Sequence, residues 1–306
     1  MNEKVSMLDT MWRQRKGLTA MSTILYNDRF LDRSQGKVDM EDRGYQFGDG
    51  IYEALRVYNG KMFLLDLHMK RLERSARELR LALPYATDHL AENLDKLIKE
   101  NAMDYGYVYF QITRGAIARK HRFPEQPIDT VLTASVEATD KDEDLHADGI
   151  KVSLLDDIRW LRCDIKTLNL LGNVLANQEA FERGAADAIL HRDGVVTEGT
   201  TCNVFMVKDG VLITHPADHF ILNGITRIFV LQLAERLGIP VDERTYTTAE
   251  LLAADEVFLT STGVRVTPVL QIDDRQVAGG KPGPITNRLL EAFNQDVEQF
   301  ITAVNA

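Results

Sequence analysis

The chain has 306 residues, 44% hydrophobic and 27% charged, a soluble globular composition with room for about two domains. Its net charge of −10 argues against non-specific nucleic-acid binding through a basic surface, and no uninterrupted apolar run reaches the roughly 18 residues of a membrane helix. Two cysteines, Cys163 and Cys202, make neither a disulfide framework nor a paired metal-ligand motif; a reducing cytoplasm is expected, and no metal.

Residues 1–20 carry Arg13, Arg15 and Lys16 but lack the apolar core and cleavage site of a signal peptide. They are expected to form a poorly ordered extension, with Met21 as an alternative start. "TILYND" (23–28) reads as a strand running into a turn. "GIYEALRVYNGKMFLL" (50–65) reads as two strands joined by a hairpin at Asn59-Gly60. In "DLHMKRLERSARELRLAL" (66–83), Leu67, Leu72, Leu79 and Leu83 mark a helix that Pro84 should end. A second helix is expected over residues 89–101. "YVYFQITRG" (107–115) and "TVLTASVEA" (130–138) read as strands.

The acidic stretch "TDKDEDLHADG" holds almost no apolar residue and is expected to be an interdomain linker over 140–148. It would separate a small domain at 21–139 from a larger one at 149–306. Beyond it, "KVSLLDDIRWL" (151–161) reads as a strand and "LNLLGNVLANQEAFERG" (168–184) as a helix. "AADAILH" and "CNVFMVKDGVLITH" follow, with a hairpin at Lys208-Asp209-Gly210. "ITRIFVLQLAERLGI" (225–239) places Ile225, Ile228, Phe229, Leu233 and Leu237 on one helical stripe. "EVFLTSTG" (256–263) reads as a strand ending in small hydroxyl residues and glycine. There is no tandem repeat.

Several segments can carry chemistry. Asn223 and Gly224 precede the apolar helix, whose first turn offers unpaired N–H groups to an anion. Thr260, Ser261 and Thr262 offer hydroxyls at a strand end. Each signal alone fits an ordinary cap or turn; together they suggest a cup for one small anion. Glu198, in "TEGTTCNVF", is either a surface turn or a carboxylate facing a cation or a protonated ring nitrogen. "RGAIARKHRFPEQP" concentrates Arg114, Arg119, Lys120, His121 and Arg122 in an acidic chain, so it is either a solvated loop or a carboxylate trap. The glycines of "DRGYQFGDGIYEALRVY" do not match the dinucleotide fingerprint and read as a turn feeding a strand. Lys166, in "RCDIKTLN" (162–169), lies between a strand and a helix. A surface charge is the ordinary fate of a lysine. The alternative is a buried nucleophile, whose neutral amine both burial and a nearby helix N-terminus favour.

Taken in order, "DRGYQFGDGIYE", "HMKRL", "TRGAIARKHRFPE", "DIRWLRCDIKTLNLLGNVLA", "ILHRDGVVTEGTTCNVF", "THPADHFILNGITR" and "FLTSTGVRVTPV" resemble the fold-type IV pyridoxal-phosphate aminotransferases, most of all their D-amino-acid branch. The resemblance runs from about Met21 to the C-terminus. It implies an α+β chain of two domains: a small N-terminal α/β domain and a larger C-terminal β-pseudobarrel domain that binds the cofactor. It implies that Lys166 is the Schiff-base lysine for pyridoxal 5′-phosphate and later the proton carrier, and that Glu198 pairs with the pyridine nitrogen. Arg71, Thr201, Ile225, Thr226 and Thr262 would bind the phosphate, and Leu222 would pack on the ring. Tyr52, Arg119 and His121 would hold the substrate carboxylate, with Arg119 and His121 reaching the neighbouring site of a homodimer. The implied reaction takes D-alanine and 2-oxoglutarate to pyruvate and D-glutamate, supplying D-amino acids for peptidoglycan. Within the fold the alternatives are a branched-chain L-aminotransferase, an (R)-amine transaminase or an aminodeoxychorismate lyase. A non-catalytic phosphate-binding protein is the alternative of another class, against which Lys166 and Glu198 together count. Relatives often carry serines after the Glu-Gly pair; Thr200 and Thr201 keep the hydroxyls.

Overall fold

The computed structural model describes residues 22–141 and 148–304; the extension expected at 1–20 and most of the expected linker lie outside the described residues. The first half is an antiparallel sheet. Strands β1 (Thr23–Tyr26) and β2 (Arg29–Asp32) form a hairpin. A short helix α1 (Arg43–Phe47), capped by the Asp42 carboxylate on the Gly44 and Tyr45 N–H groups, leads into β3 (Gly50–Tyr58). Asn59 and Gly60 turn the chain with φ of 50° and 71°, both left-handed as a tight hairpin requires, into β4 (Lys61–Met62). Helices α2 (Leu65–Glu78) and α3 (Thr87–Glu100) precede β5 (Gly106–Thr113) and β6 (Val131–Ala138). The sheet order is β2-β1-β6-β5-β3-β4.

One face of this sheet packs Ile51, Leu55 and Val57 of β3 against Leu72, Leu94 and Leu97 of the two helices. The buried face of α2, however, is centred on His68, Arg71, Leu72 and Ser75, not on a leucine stripe. Charged and polar side chains occupy it because it borders the site described below. The helix ends at Glu78, short of Pro84. Arg80 turns left-handed at φ 50°, Leu81 N–H bonds the Ala76 carbonyl, and buried Arg114 takes the carbonyls of Leu79 and Arg80. The helix-end carbonyls are thus satisfied without glycine.

The second half is one curled sheet of nine strands. Its main path runs β12-β11-β10-β13-β14-β7-β8-β9, and β15 (Arg275–Gln276) pairs with β14. In chain order these are β7 (Ile150–Asp156), β8 (Asp187–Arg192), β9 (Val195–Gly199), β10 (Asn203–Lys208), β11 (Val211–Thr214), β12 (Val241–Glu243), β13 (Glu256–Ser261) and β14 (Arg265–Ile272). β9 turns directly into β10, with Gly199 N–H donating to the Cys202 carbonyl at 2.7 Å, so the two strands pack side by side and the sheet curls. Four helices accompany it: α4 (Leu171–Glu182), α5 (Ile225–Arg236), α6 (Thr248–Leu252) and α7 (Pro284–Val304). The two halves share an aromatic core in which Phe63 touches Phe229, Phe293 and Phe300, with ring centroids 5.2–6.0 Å apart. The molecule is the α+β fold expected from its sequence.

Two boundaries differ from expectation. β7 ends at Asp156, and residues 157–170 form a long loop, because Asp157 and Arg159 turn inward to pair with each other. Helix α4 begins at Leu171, so Lys166 lies outside the first turn, over which a helix dipole acts.

Candidate active site

Lys166 is placed by β3. The Tyr52 N–H donates to the Lys166 carbonyl at 3.0 Å, Leu168 N–H donates to the Gly50 carbonyl, and Thr167 bridges Ile51. The loop therefore runs as a short extra strand along the edge of β3. The Lys166 amine stands 4.1 Å from the centroid of the Tyr52 ring. Asp164, held by Arg74 and Arg162, fixes the stretch just before it. Burial pushes the Cys163 thiol up to about 11, and its Sγ donates to the Trp160 carbonyl, so it remains a neutral thiol.

One cavity between the halves is lined by Tyr52, Arg71, Lys166, Glu198, Thr201, Leu222, Ile225, Thr226 and Thr262, all nine expected from the sequence to meet there. Arg71 projects from α2. Its Nε and Nη2 donate to Glu53 at 2.8 and 2.7 Å, and Nη1 reaches the Asn223 carbonyl at 3.3 Å. Alternation along β3 places Glu53 on the face opposite Tyr52, fully buried. Burial raises the Glu53 carboxyl, but Arg71 and a hydrogen bond with His68 outweigh it and hold it down at about 2. Burial keeps His68 below its ordinary value despite Glu53.

On the opposite side stands Glu198, near the end of β9. Its Oε1 accepts from Arg159, and its Oε2 accepts from the Leu222 N–H at 3.0 Å and the Asn203 side chain at 3.1 Å. Burial raises the Glu198 carboxyl, and the Arg159 charge and these bonds only partly counter it. Helix α5 starts beside this carboxylate. Its N-cap is Gly224, which brings no side-chain hydrogen bond to the first turn. A Cβ at Gly224 would stand 2.2 Å from Asn203 Oδ1, so a larger residue there would push aside the amide that holds Glu198. Fully buried Arg227 holds the approaching loop by the His215 carbonyl, Asn223 Oδ1 and Glu243.

Sequence reasoning missed Arg159, Asn203 and Glu53, and offered Thr260 only as one of three hydroxyls at a strand end. The signal for Glu53 was a carboxylate at a core-facing strand position, with His68 and Arg71 three apart on one helix face. Arg159 carried a weaker one, an arginine within an apolar run. Thr260 Oγ1 is buried in the cavity wall without a hydrogen-bond partner among the described residues. A buried hydroxyl without a partner is disfavoured. With the uncapped turn of α5 and Arg71, it fits an incoming oxyanion.

Arg119 and His121 do not line this cavity. Both are exposed on the loop between β5 and β6, packed on Phe47 at 4.8 and 5.4 Å. Buried Arg43 pins that loop through the carbonyls of Lys120 and His121.

Residues 50–272 match the family model described as amino-transferase class IV. A D-alanine aminotransferase of Listeria innocua is 48% identical over 276 residues, which cover 90% of this chain and 96% of that protein. The solved branched-chain amino acid aminotransferase of Escherichia coli has a TM-score of 0.84 at 28% identity, covering 90% of this chain and 94% of its own. A T.th. branched-chain amino acid aminotransferase, solved with pyridoxamine 5′-phosphate, has a TM-score of 0.82 at 29% identity, covering 92% of this chain and 95% of its own. With the fold, the cavity and these matches in agreement over nearly the whole described length, the chain belongs to the class IV aminotransferases.

Proposed function

We propose that this aminotransferase acts on D-amino acids, moving the amino group of D-alanine to 2-oxoglutarate to give pyruvate and D-glutamate for peptidoglycan. The observation that carries the reading is the meeting, in one cavity, of an amine (Lys166), a buried carboxylate (Glu198) and an oxyanion cradle built from Arg71 and the start of α5. The close similarity to a D-alanine aminotransferase supports the D-specific choice.

Class IV aminotransferases are pyridoxal-phosphate enzymes. Pyridoxal 5′-phosphate, when bound, supplies an aldehyde that condenses with amines and a ring that makes the substrate Cα–H acidic. Lys166 Nζ would hold the aldehyde carbon, and its amine, freed when substrate binds there, would serve as the base that takes the Cα proton. Glu198 would hold a proton at the ring nitrogen. Arg71, the Ile225 and Thr226 N–H groups and the hydroxyls of Thr201 and Thr262 would bind the phosphate, and Leu222 would pack on the ring. Tyr52 orients the substrate carboxylate, assisted by Arg119 and His121 from the second copy in a homodimer.

Two features support the dimer. Arg43 holds the Arg119–His121 loop away from its own cavity. Beside that cavity, Ile158, Leu161, Leu171, Val174 and Leu175 are 51–71% exposed, an apolar face of the kind subunit contacts cover. The two free cysteines, both buried, suit a cytoplasmic setting. Purified protein given D-alanine and 2-oxoglutarate should form pyruvate and D-glutamate. Activity confined to L-leucine would instead favour the branched-chain alternative.

A further inference from the structure

We propose that Asp157 and Arg159 are positioning residues for Glu198: Asp157 clamps the Arg159 guanidinium so that one arm aims the Glu198 carboxylate, and together they set how firmly Glu198 holds a proton at the cofactor's ring nitrogen. The inference rests on the assignment of Glu198 made above.

The geometry is that of a relay. Arg159 donates Nε to Asp157 Oδ1 at 2.9 Å and Nη2 to Asp157 Oδ2 at 2.8 Å, leaving Nη1 for Glu198 Oε1. A planar fork held at two points cannot swing, so the third arm has a fixed direction. Asp157 is itself immobilised by the Arg159 N–H, the Thr197 hydroxyl at 3.0 Å and Arg192 Nε at 3.2 Å. Thr197 directly precedes Glu198 on β9, so the strand that carries the carboxylate also anchors the clamp. The side chains of Asp157, Arg159 and Glu198 are 0%, 6% and 7% exposed, so water does little to screen them.

Charge decides how strongly each member pulls. An unopposed Arg159 beside Glu198 would make the carboxylate a poor proton acceptor. Asp157 takes two of the arginine's donors and opposes its charge, leaving Glu198 only one arm. The other groups facing Glu198 are neutral (Asn203 and the Cys163 thiol) or more distant (Arg192, and Lys166 across the cavity). The direction of each substitution follows. Removing the charge of Asp157 weakens Glu198 as a base. Removing the charge of Arg159 or Arg192 strengthens it.

The test uses the full chain loaded with pyridoxal phosphate labelled with nitrogen-15 in the ring. The nitrogen-15 chemical shift, followed against pH, reports the proton on that nitrogen directly. Asp157→Asn should move the midpoint of proton loss to lower pH. Arg159→Met should move it to higher pH, as should Arg192→Met, a less buried change that guards against misfolding. Arg159→Lys keeps the charge and loses the fork; its midpoint should stay near that of the parent while affinity for the cofactor falls, because Glu198 is no longer held in place. Glu198→Gln is the control and should strip the nitrogen of its proton across the range. If Glu198→Gln leaves the proton in place, the assignment of Glu198 fails. If it removes the proton, yet Asp157→Asn, Arg159→Met and Arg192→Met leave the midpoint unmoved or shift it in one common direction, the relay alone is overturned.

Discussion

Two arginines with buried side chains flank the cavity, and each meets a buried glutamate. Arg71 gives two arms to Glu53, which stays charged down to about pH 2. Arg159 gives one arm to Glu198 and two to Asp157, and Glu198 is pushed up. Burial of the two glutamates is nearly equal, at 0% and 5% exposure, so it cannot cause the difference. The number of guanidinium donors, the His68 hydrogen bond to Glu53 and the aspartate that competes for Arg159 do. Glu53 is thereby a permanent counter-ion that fixes an anion-binding arginine, and Glu198 is a carboxylate able to share a proton. On the proposed reading of the site, the same pairing of residue types yields a structural ion pair at the phosphate end and a chemical group at the ring-nitrogen end.

The sharpest way to break this contrast is Glu53→Gln. It leaves Arg71 buried beside a neutral partner, and breaking a buried pair in this way costs about 3–5 kcal/mol. Thermal unfolding should show a large drop in Tm. A drop under a few degrees would mean that Arg71 finds another counter-ion, and the pair would lose its structural status.

Acid titration should give the next largest effect, and the two carboxyls oppose each other in it. The Glu53 value is lowered from 4.5 to about 2 in the folded chain, so its stabilisation is present above pH 4.5 and is lost as pH falls towards 2. That shift corresponds to about 3 kcal/mol. Glu198 is raised, so folding favours its protonated form, and it loses stability as pH rises from 4.5 through its folded value. Glu53→Gln should therefore flatten the loss of stability between about pH 4.5 and 2. Glu198→Gln should leave that acid limb in place. Identical acid limbs in the two variants would refute the assignment of opposite signs.

Glu198→Gln should be milder at neutral pH, on the order of 1 kcal/mol in protein without cofactor, because Arg159 keeps Asp157 and only the amide's misplaced donor is unfavourable. Chemical denaturation would measure it. A loss as large as that of Glu53→Gln would make the two pairs alike.

Sequence pattern alone made the strands and helices around Lys166 legible, because hairpin turns such as Asn59-Gly60 and the apolar stripe of α5 are local signals. Nine of the eleven expected site residues meet in one cavity, although what named them was the family resemblance and not spacing. The positions it missed are those whose role depends on tertiary partners. Arg159 acquires meaning only when β9 brings Glu198 to it, and Glu53 only when α2 crosses β3. Helix α7 passed unread although Leu289, Ala292, Phe293 and Val297 are buried at helical spacing. The end of α2 at Glu78 was hidden because Arg114, far along the chain, supplies the donors a local cap would give.

The smallest effect separates stability from binding at the phosphate end. Thr260 Oγ1 is buried in the cavity wall with no partner among the described residues, so Thr260→Val removes an unsatisfied hydroxyl while nearly keeping the shape of the side chain. Protein without cofactor should be unchanged or more stable by up to about 1 kcal/mol. Affinity for pyridoxal phosphate should fall roughly ten- to a hundredfold, the worth of one hydrogen bond to a charged oxygen. Fluorescence titration with the cofactor measures the second quantity, and a denaturant melt the first. If both remain at the parent values, the hydroxyl is not part of the cradle, and Arg71 with the first turn of α5 must hold the phosphate without it. If stability falls, the hydroxyl has a partner in the folded chain. Only a drop in affinity without a loss of stability places Thr260 beside Arg71 as a group whose buried polarity serves a ligand and not the fold.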